Sequence, residues 1–266
     1  TINNPELHFQ TLIWIGDGGS KSFTLDGSEN MQPDWVWSKA RESLSIITGS
    51  HFLFDSVRGG GAEKELRTSS NGAEGASANQ VYGYVSSFNS DGFTTTAGSS
   101  NNDYFNKSSI KYVAWNWKAG GSASSNSDGS ITTTVSVNQT AGFSIMKYAG
   151  NSTNSTIGHG LGASPEFIIF KEIDGGESWR VHSIYTPNNS SNTLSLNSTS
   201  AAFSQSNWIS AISSSTISIG TDSSFNTSGN NYIAYTFASK QGYSKFGKYT
   251  GNGSSDGPFA YTGFKP

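Results

Sequence analysis

Two ionisable side chains in strand-like segments raise the question of hydrolytic chemistry. Asp55 lies in the run His51–Val57, and His182 lies in Ser178–Ile184, a run that matches the first one further along the chain. A carboxylate and an imidazole act together in hydrolysis only when they lie within about 3 Å of each other or share a water. Equivalent positions of two copies would lie in separate domains. We therefore expect each residue to pair with neighbouring backbone, and we expect no catalytic residues.

Metal ligands are equally poorly supported by the sequence. The histidines are scattered and show no i, i+4 pair typical of zinc sites, and cysteine is absent. The glycines on both sides of His159 predict that it is exposed. Six acidic residues lie in Gly/Ser/Asn-rich loops: Asp17, Asp26, Glu29, Asp103, Asp128 and Asp222. Such oxygens suit Ca²⁺, yet none has EF-hand spacing, and turn-forming residues that bond their own backbone are the commoner explanation. We expect no metal and no cofactor, with a structural Ca²⁺ in one of these loops as the open alternative.

Three aromatic residues lie in polar, Ser/Asn-rich stretches: Tyr82, Tyr84 and Trp208. Sugar rings stack on aromatic faces, and neighbouring Asn and Ser side chains can bond sugar hydroxyls. These three residues are our candidate glycan-binding residues, with packing against a sheet as the alternative. The remaining tryptophans on strand-like runs, such as Trp35 and Trp117, are expected in the core.

A duplicated aromatic strand organises the chain that must position these residues. Lys111–Lys118 (KYVAWNWK) returns as Asn231–Ser239 (NYIAYTFAS), and each copy is preceded by a Phe-Asn-x-Ser block. The strand-like run Pro33–Lys39 likewise returns as Pro165–Lys171. Because a strand with an aromatic face needs a sheet and a second layer around it, the duplication predicts two similar units.

These patterns predict an all-β protein made of two tandem antiparallel β-sandwich repeats, lectin-like or of jelly-roll type. The first repeat spans residues 1–120, a Gly/Ser/Thr-rich linker or arm spans 121–139, and the second repeat spans 140–250. Gly242–Gly251 echoes Gly142–Gly150, so residues 251–266 are expected to begin a third unit, with a C-terminal strand, or to act as a cap. We also expect the chain to be a segment of a longer repeat protein, or a subunit assembled from one.

Composition narrows the class of protein. Charged residues make up 13% of the 266 residues, the net charge is −3, and no basic run is present. Nucleic-acid binding is therefore disfavoured. Aromatic residues reach 13%, which separates the chain from disordered proteins. No apolar run is long enough to span a membrane as a helix, so membrane insertion is not expected.

Several short blocks resemble repeat-bearing tail-fibre-like proteins of marine bacteriophages. The blocks are Pro5–Thr11, Pro33–Trp37, Phe54–Gly59, Phe88–Phe93, Tyr112–Lys118 and Lys248–Gly253. The resemblance covers nearly the whole chain, and the motifs are specific as a set. The resemblance implies a virion-associated or secreted adhesion module with a lectin-like β-sandwich, located at the virion surface or outside the cell. It brings no catalytic residues that can be carried over.

The sequence thus favours a non-catalytic viral adhesion or fibre module that binds host surface polysaccharide. A purely architectural virion decoration or spacer protein is the alternative, and a glycan-degrading enzyme is a third. The expected partners are host polysaccharide and other copies of the chain or other virion proteins. Symmetric fibres and an unpaired strand at the end of the chain predict a homo-oligomer, or end-to-end contact through Tyr243–Phe264.

Overall fold

A computed structural model describes residues 2–42, 50–188 and 191–264. Runs that alternate in side-chain burial form strands, and glycine- and serine-rich turns separate them. Its strands are β1 Phe9–Ile15, β2 Lys21–Phe23, β3 Trp35–Ala40, β4 Phe52–Asp55, β5 Leu66–Arg67, β6 Tyr84–Asn89, β7 Gly92–Thr96, β8 Lys111–Trp117, β9 Ser124–Asn126, β10 Thr133–Asn138, β11 Phe143–Ala149, β12 Ser155–Gly158, β13 Phe167–Glu172, β14 Arg180–Ser183, β15 Asn192–Ser195, β16 Phe203–Ser204, β17 Ile209–Ile212, β18 Thr216–Ile219 and β19 Asn231–Phe237. Its helices are single turns, at Pro5–Leu7, at Asn79–Tyr82 (α1) and at Ser223–Asn226 (α2).

The strands form two larger and two smaller antiparallel sheets. The first inner sheet has the order β1-β8-β3-β4-β5, and the second inner sheet has the order β16-β15-β14-β13-β19-β11-β10-β9. The first outer sheet is β2-β7-β6, and the second outer sheet is β12-β18-β17. Read from β11, the second inner sheet runs β11-β19-β13-β14-β15, so each half of the chain uses the same strand order. The all-β, antiparallel, sandwich-like class expected from the sequence is confirmed.

In the part of the chain that the structure describes, three apolar cores separate four layers. Between the first inner and outer sheets, the first core contains Phe52, Phe54, Phe93 and Tyr112. The second core lies between the second inner and outer sheets and contains Ile168, Phe170, Trp208 and Phe225. The central core joins the two inner sheets through Trp35, Leu53, Phe143, Ile169 and Tyr235. Because successive strand residues point to opposite faces, Phe52 and Phe54 enter the first core while Leu53 enters the central one.

The central core makes the two halves pack face to face. Trp35 is 1% exposed, and its ring stacks on that of Tyr235 with centroids 4.4 Å apart and an angle of 18°. The indole Nε1 of Trp179 donates to the backbone oxygens of Arg67 and Ser70, at 2.9 and 3.0 Å. Stacked aromatic pairs contribute about 0.5–1.5 kcal/mol beyond the area they bury. The halves therefore share a buried interface, in place of the separate domains that we expected.

Two segments outside the shared strand order differ from the sequence expectation. The stretch 121–139 was expected as a linker or arm, with Ile131–Val137 as a strand or an extended arm; it contains β9 and β10, and β10 pairs with β11 and β9 in the second inner sheet. The C-terminal strand expected for a third unit does not form in residues 245–264, although Lys240 and Ser244 make an isolated bridge. A third strand of this type would need neighbouring strands of its own, and β19 already has a partner on each side. Among the described residues, no helix has both the length and the apolar character needed to cross a membrane.

Candidate functional site

The pairing register separates Asp55 from His182. Asp55 lies opposite Trp35, whereas the residue opposite Phe167, the counterpart of Trp35, is Ser183. The expected equivalence of Asp55 and His182 is therefore wrong by one residue. A one-residue slip moves a side chain to the other face of its sheet. Asp55 accordingly faces the central core, while His182 pairs with Ile168 of the second core, so the two residues do not form a dyad.

Asp55 belongs instead to a buried ionic cluster between the two halves. Its Oδ2 accepts from Arg58 Nε at 2.6 Å and from the Tyr235 hydroxyl at 2.8 Å. Arg58 also donates through Nη1 to Glu74 at 2.9 Å. The Asp55 charge raises the pKa of Arg58 against the opposing effect of burial, and burial together with that charge raises the pKa of Tyr235. The charges of this cluster are paired and its tyrosine stays neutral. The cluster joins the two inner sheets through the bond between Asp55 and Tyr235, and it offers no accessible nucleophile or base.

Another buried charge, Lys171, is held by backbone. Its Nζ donates to the carbonyl oxygens of Asn71, Glu172 and Gly175, at 3.2, 2.5 and 3.2 Å. All three donors of an ammonium group are thereby used. Burial lowers the pKa of Lys171 to about 8. Since Asn71 comes from the first half, this lysine also fastens the halves together.

The Phe-Asn blocks that recur in the sequence clamp one turn in each half. Asn106 Nδ2 donates to Asp17 and to the carbonyl of Gly18, and Asn226 Nδ2 donates to the carbonyls of Thr153 and Gly220. Each block is held in turn by the tyrosine of the aromatic strand, Tyr112 or Tyr232, whose hydroxyl accepts from Lys107 N or Thr227 N. These recurrent residues therefore specify the fold.

The remaining histidines and acids do not assemble into a metal site. The prediction that His159 is exposed is wrong: it is 0% exposed, and burial lowers its pKa. His51 accepts a hydrogen bond at Nδ1 from the Trp37 indole at 2.8 Å. Within the described ranges, no group of three or more His, Cys, Asp or Glu residues is placed to hold an ion.

The three candidate glycan residues occupy different environments. Tyr82 ends α1 and packs its ring against Tyr104 with centroids 5.2 Å apart. Both Tyr82 and Tyr84 are half-buried against the first core. Trp208 is 4% exposed and packs edge-on against Phe225, so its ring faces are enclosed by the second core. The packing alternative therefore fits Trp208, and sugar contacts by Tyr82 and Tyr84 stay a prediction.

Trp208 nevertheless lines an open polar cleft on the second outer sheet. The cleft has a volume of about 580 Å³ and runs across β12, β18 and the start of β17. Its lining combines Trp208, Ile209 and Ile219 with the polar residues Ser130, Asn154, Ser155, Thr156, Asn207, Ser210 and Ser218. Asn207 adopts a left-handed backbone with φ 51°, which asparagine tolerates better than most residues. We call this surface the polar cleft.

Four polar side chains of the cleft have no partner among the described residues: Asn154, Asn207, Ser210 and Ser218 make no side-chain hydrogen bond there. Two amides and two hydroxyls are thus available, each able to donate and to accept. Sequence reasoning singled out Trp208 but missed Asn154 and Asn207, because many asparagines lie in similar Ser/Thr-rich loops.

A second concavity lies at one end of the interface between the inner sheets. This aromatic cleft has a volume of about 330 Å³ and is lined by Phe9, Trp35, Trp37, Trp117, Phe143, Phe237 and neighbouring apolar residues. Phe246 stacks on Phe167 at its mouth with centroids 5.4 Å apart. Such an apolar lining suits apolar groups better than sugar hydroxyls, which would lose hydrogen bonds there.

The sequence of the chain matches a known protein family. The model of a family described as Domain of unknown function (DUF7483) matches residues 4–266. The chain belongs to this family. The DUF7483 match takes in both inner sheets, both outer sheets and the described C-terminal segment, so the polar cleft lies within the family domain. No curated protein and no solved structure matches the chain.

Proposed function

We propose that the protein is a non-catalytic adhesion module that binds host surface polysaccharide, as part of a phage tail fibre or virion surface. The observation that supports binding is the polar cleft with its four free amide and hydroxyl side chains. Glycan sites combine a shaped groove with a few polar groups that fix the orientation of sugar hydroxyls. The assignment to a virion rests on the resemblance of the sequence to phage tail-fibre-like proteins.

The charged groups support the non-catalytic part of the proposal. Hydrolysis of a glycosidic bond commonly uses two carboxylates that face each other across the substrate. None of the described cleft-lining residues is acidic. The buried charges are paired: Asp55 accepts from Arg58 and Tyr235, Arg58 donates to Glu74, and Lys171 donates to three backbone carbonyls.

A glycan array with the intact chain tests the proposal. We expect saturable binding to host-type polysaccharides without release of reducing sugar. The non-catalytic assignment would be contradicted if binding were accompanied by release of reducing sugar and if Asp55→Ala or His182→Ala abolished that release. Absence of binding to every glycan on the array would contradict the binding assignment.

A second candidate function, an architectural virion subunit, is favoured by exposed apolar surface. In the C-terminal segment, Tyr249, Phe259 and Tyr261 are 73%, 90% and 73% exposed. Ile13 and Ile15 are exposed on β1, which forms one edge of the first inner sheet. Exposed aromatic side chains and open sheet edges are typical of surfaces that contact other chains. Concentration-dependent sedimentation with no glycan binding would favour this candidate.

A further inference from the structure

We infer that the protein takes one uncharged glycan per chain, at the polar cleft of the second half. This inference rests on the proposed glycan-binding function and adds the class of ligand and the number of sites.

The lining of the polar cleft favours a neutral ligand. None of its described residues carries a charge. Asp128 lies two residues before Ser130 and Asp222 two residues after Gly220, while the ionisable residue that follows Thr156 is His159, which is buried and whose pKa burial lowers. A uronate or sulfate group bound in this cleft would lose water without gaining a cationic partner among the residues that line it. Hydroxyls of a neutral sugar need only the donors and acceptors that Asn154, Asn207 and the two free serines supply.

In the strands of the first outer sheet, the serine, threonine and asparagine side chains are already paired. Ser22 and Thr94 hydroxyls bond each other at 2.9 Å, and Asn89 Nδ2 donates to the same Thr94 hydroxyl at 3.0 Å. Ser87 donates to Asn89 Oδ1 at 3.0 Å, and Thr96 donates to Ser86 at 2.7 Å. A sugar would have to replace bonds that already exist, so the net gain in hydrogen bonding is small.

The two halves therefore share strand order but differ in which polar groups are available. Their shared residues, such as Asn106 and Asn226, act in turns of the fold. Asn154 and Asn207 are free amides in the cleft of the second half, whereas Asn89, the amide within the strands of the first outer sheet, is paired. One site per chain follows, and the half-buried Tyr82 and Tyr84 of the first half lie outside it.

Calorimetric titration of the intact chain tests this inference. The probes are neutral glucose-, mannose- and galactose-based oligosaccharides and, separately, uronate-bearing and sulfated oligosaccharides. We expect a neutral probe to bind with one site per chain, with an affinity that changes less than about twofold between low and high salt. Asn154→Ala combined with Asn207→Gly should lower the affinity by about tenfold or more. Glycine at position 207 keeps the left-handed backbone free of strain.

Asn89→Ala in the first outer sheet is the matched control and should leave the affinity unchanged. Thermal unfolding of each variant verifies that the fold is intact. Tighter binding of the acidic probes with steep salt dependence, or two sites per chain, would overturn this inference while leaving glycan binding in place. An unchanged affinity in the Asn154/Asn207 variant would place the sugar elsewhere and also overturn it. Absence of binding to every probe would overturn the proposed function and this inference together.

Discussion

Replacing Asp55 with asparagine should strongly destabilise the protein, and this loss of stability should not depend on a ligand. Asp55 is 0% exposed and provides the oxygens to which Arg58 and Tyr235 donate. Asparagine has nearly the same shape, but it is neutral and presents an amide nitrogen in place of one oxygen. The variant therefore leaves the buried guanidinium of Arg58 with Glu74 as its remaining carboxylate partner.

The magnitude follows from the burial of both partners. The side chains of Asp55 and Arg58 are 0% and 1% exposed, so solvent screens this pair very little. Removing one partner of such a buried pair costs about 3–5 kcal/mol, because the other charge stays desolvated. For a chain of this length, each kcal/mol lowers Tm by about 2–4 °C, which predicts a fall of roughly 6–20 °C.

Thermal and urea unfolding, followed by circular dichroism, measure the effect. Tyr235→Phe removes one hydrogen bond to a charged group and should cost about 1.5–3 kcal/mol. In a double-mutant cycle the two changes should couple by about 0.5–3 kcal/mol, because both act on the same carboxylate. Glu42→Gln, which breaks the exposed pair of Glu42 with Lys111, is the matched control and should leave unfolding unchanged. A loss below 1 kcal/mol for Asp55→Asn, equal to that of the control, would refute the view that this cluster joins the halves.

Three further predictions concern Lys171, a tight turn and the C-terminal segment. The pKa of Lys171 in the folded protein lies near 8, below that of an unfolded lysine, so the unfolded state binds more protons between these two values. The free energy of unfolding, measured with urea, should therefore rise by about 2 kcal/mol from pH 8 to 9.5. The rise should be smaller in Lys171→Met. Gly16→Ala should destabilise, because its Cβ would overlap the carbonyl of Lys107, whereas Gly247→Ala, with open space around it, should not; equal melting temperatures would contradict this. Deleting residues 247–266 should reduce the self-association measured by sedimentation, because the deletion removes the exposed Tyr249, Phe259 and Tyr261. Unchanged self-association would assign the contact to another surface.

The sequence predicted the fold class because strand periodicity and recurrent blocks are local signals. Lys111–Lys118 and its copy mark the central strands β8 and β19, and the all-β class follows from such runs. The face-to-face packing of the halves depends on which side of each sheet finds a partner, and alternation alone does not reveal this. The counterpart of Asp55 was misplaced for a related reason, since one residue of difference before β14 reverses the faces.

The candidate site was less accessible to sequence reasoning. Trp208 stood out as an aromatic residue in a polar stretch, but the second core encloses its ring. Asn154 and Asn207 gain their significance from having no partner, which only three-dimensional structure reveals. In the first half, comparable polar residues such as Asn89 are engaged.

The central core also sets a constraint on synthesis of the chain. Trp35 and Leu53 are complete early in translation, but their partner Tyr235 is made roughly 10–40 s later at ordinary elongation rates. During this interval the nascent first half displays an aromatic surface that later becomes fully buried. We therefore expect ribosome-bound chains to engage chaperones until the second half emerges, and expression of the first half alone to yield aggregates.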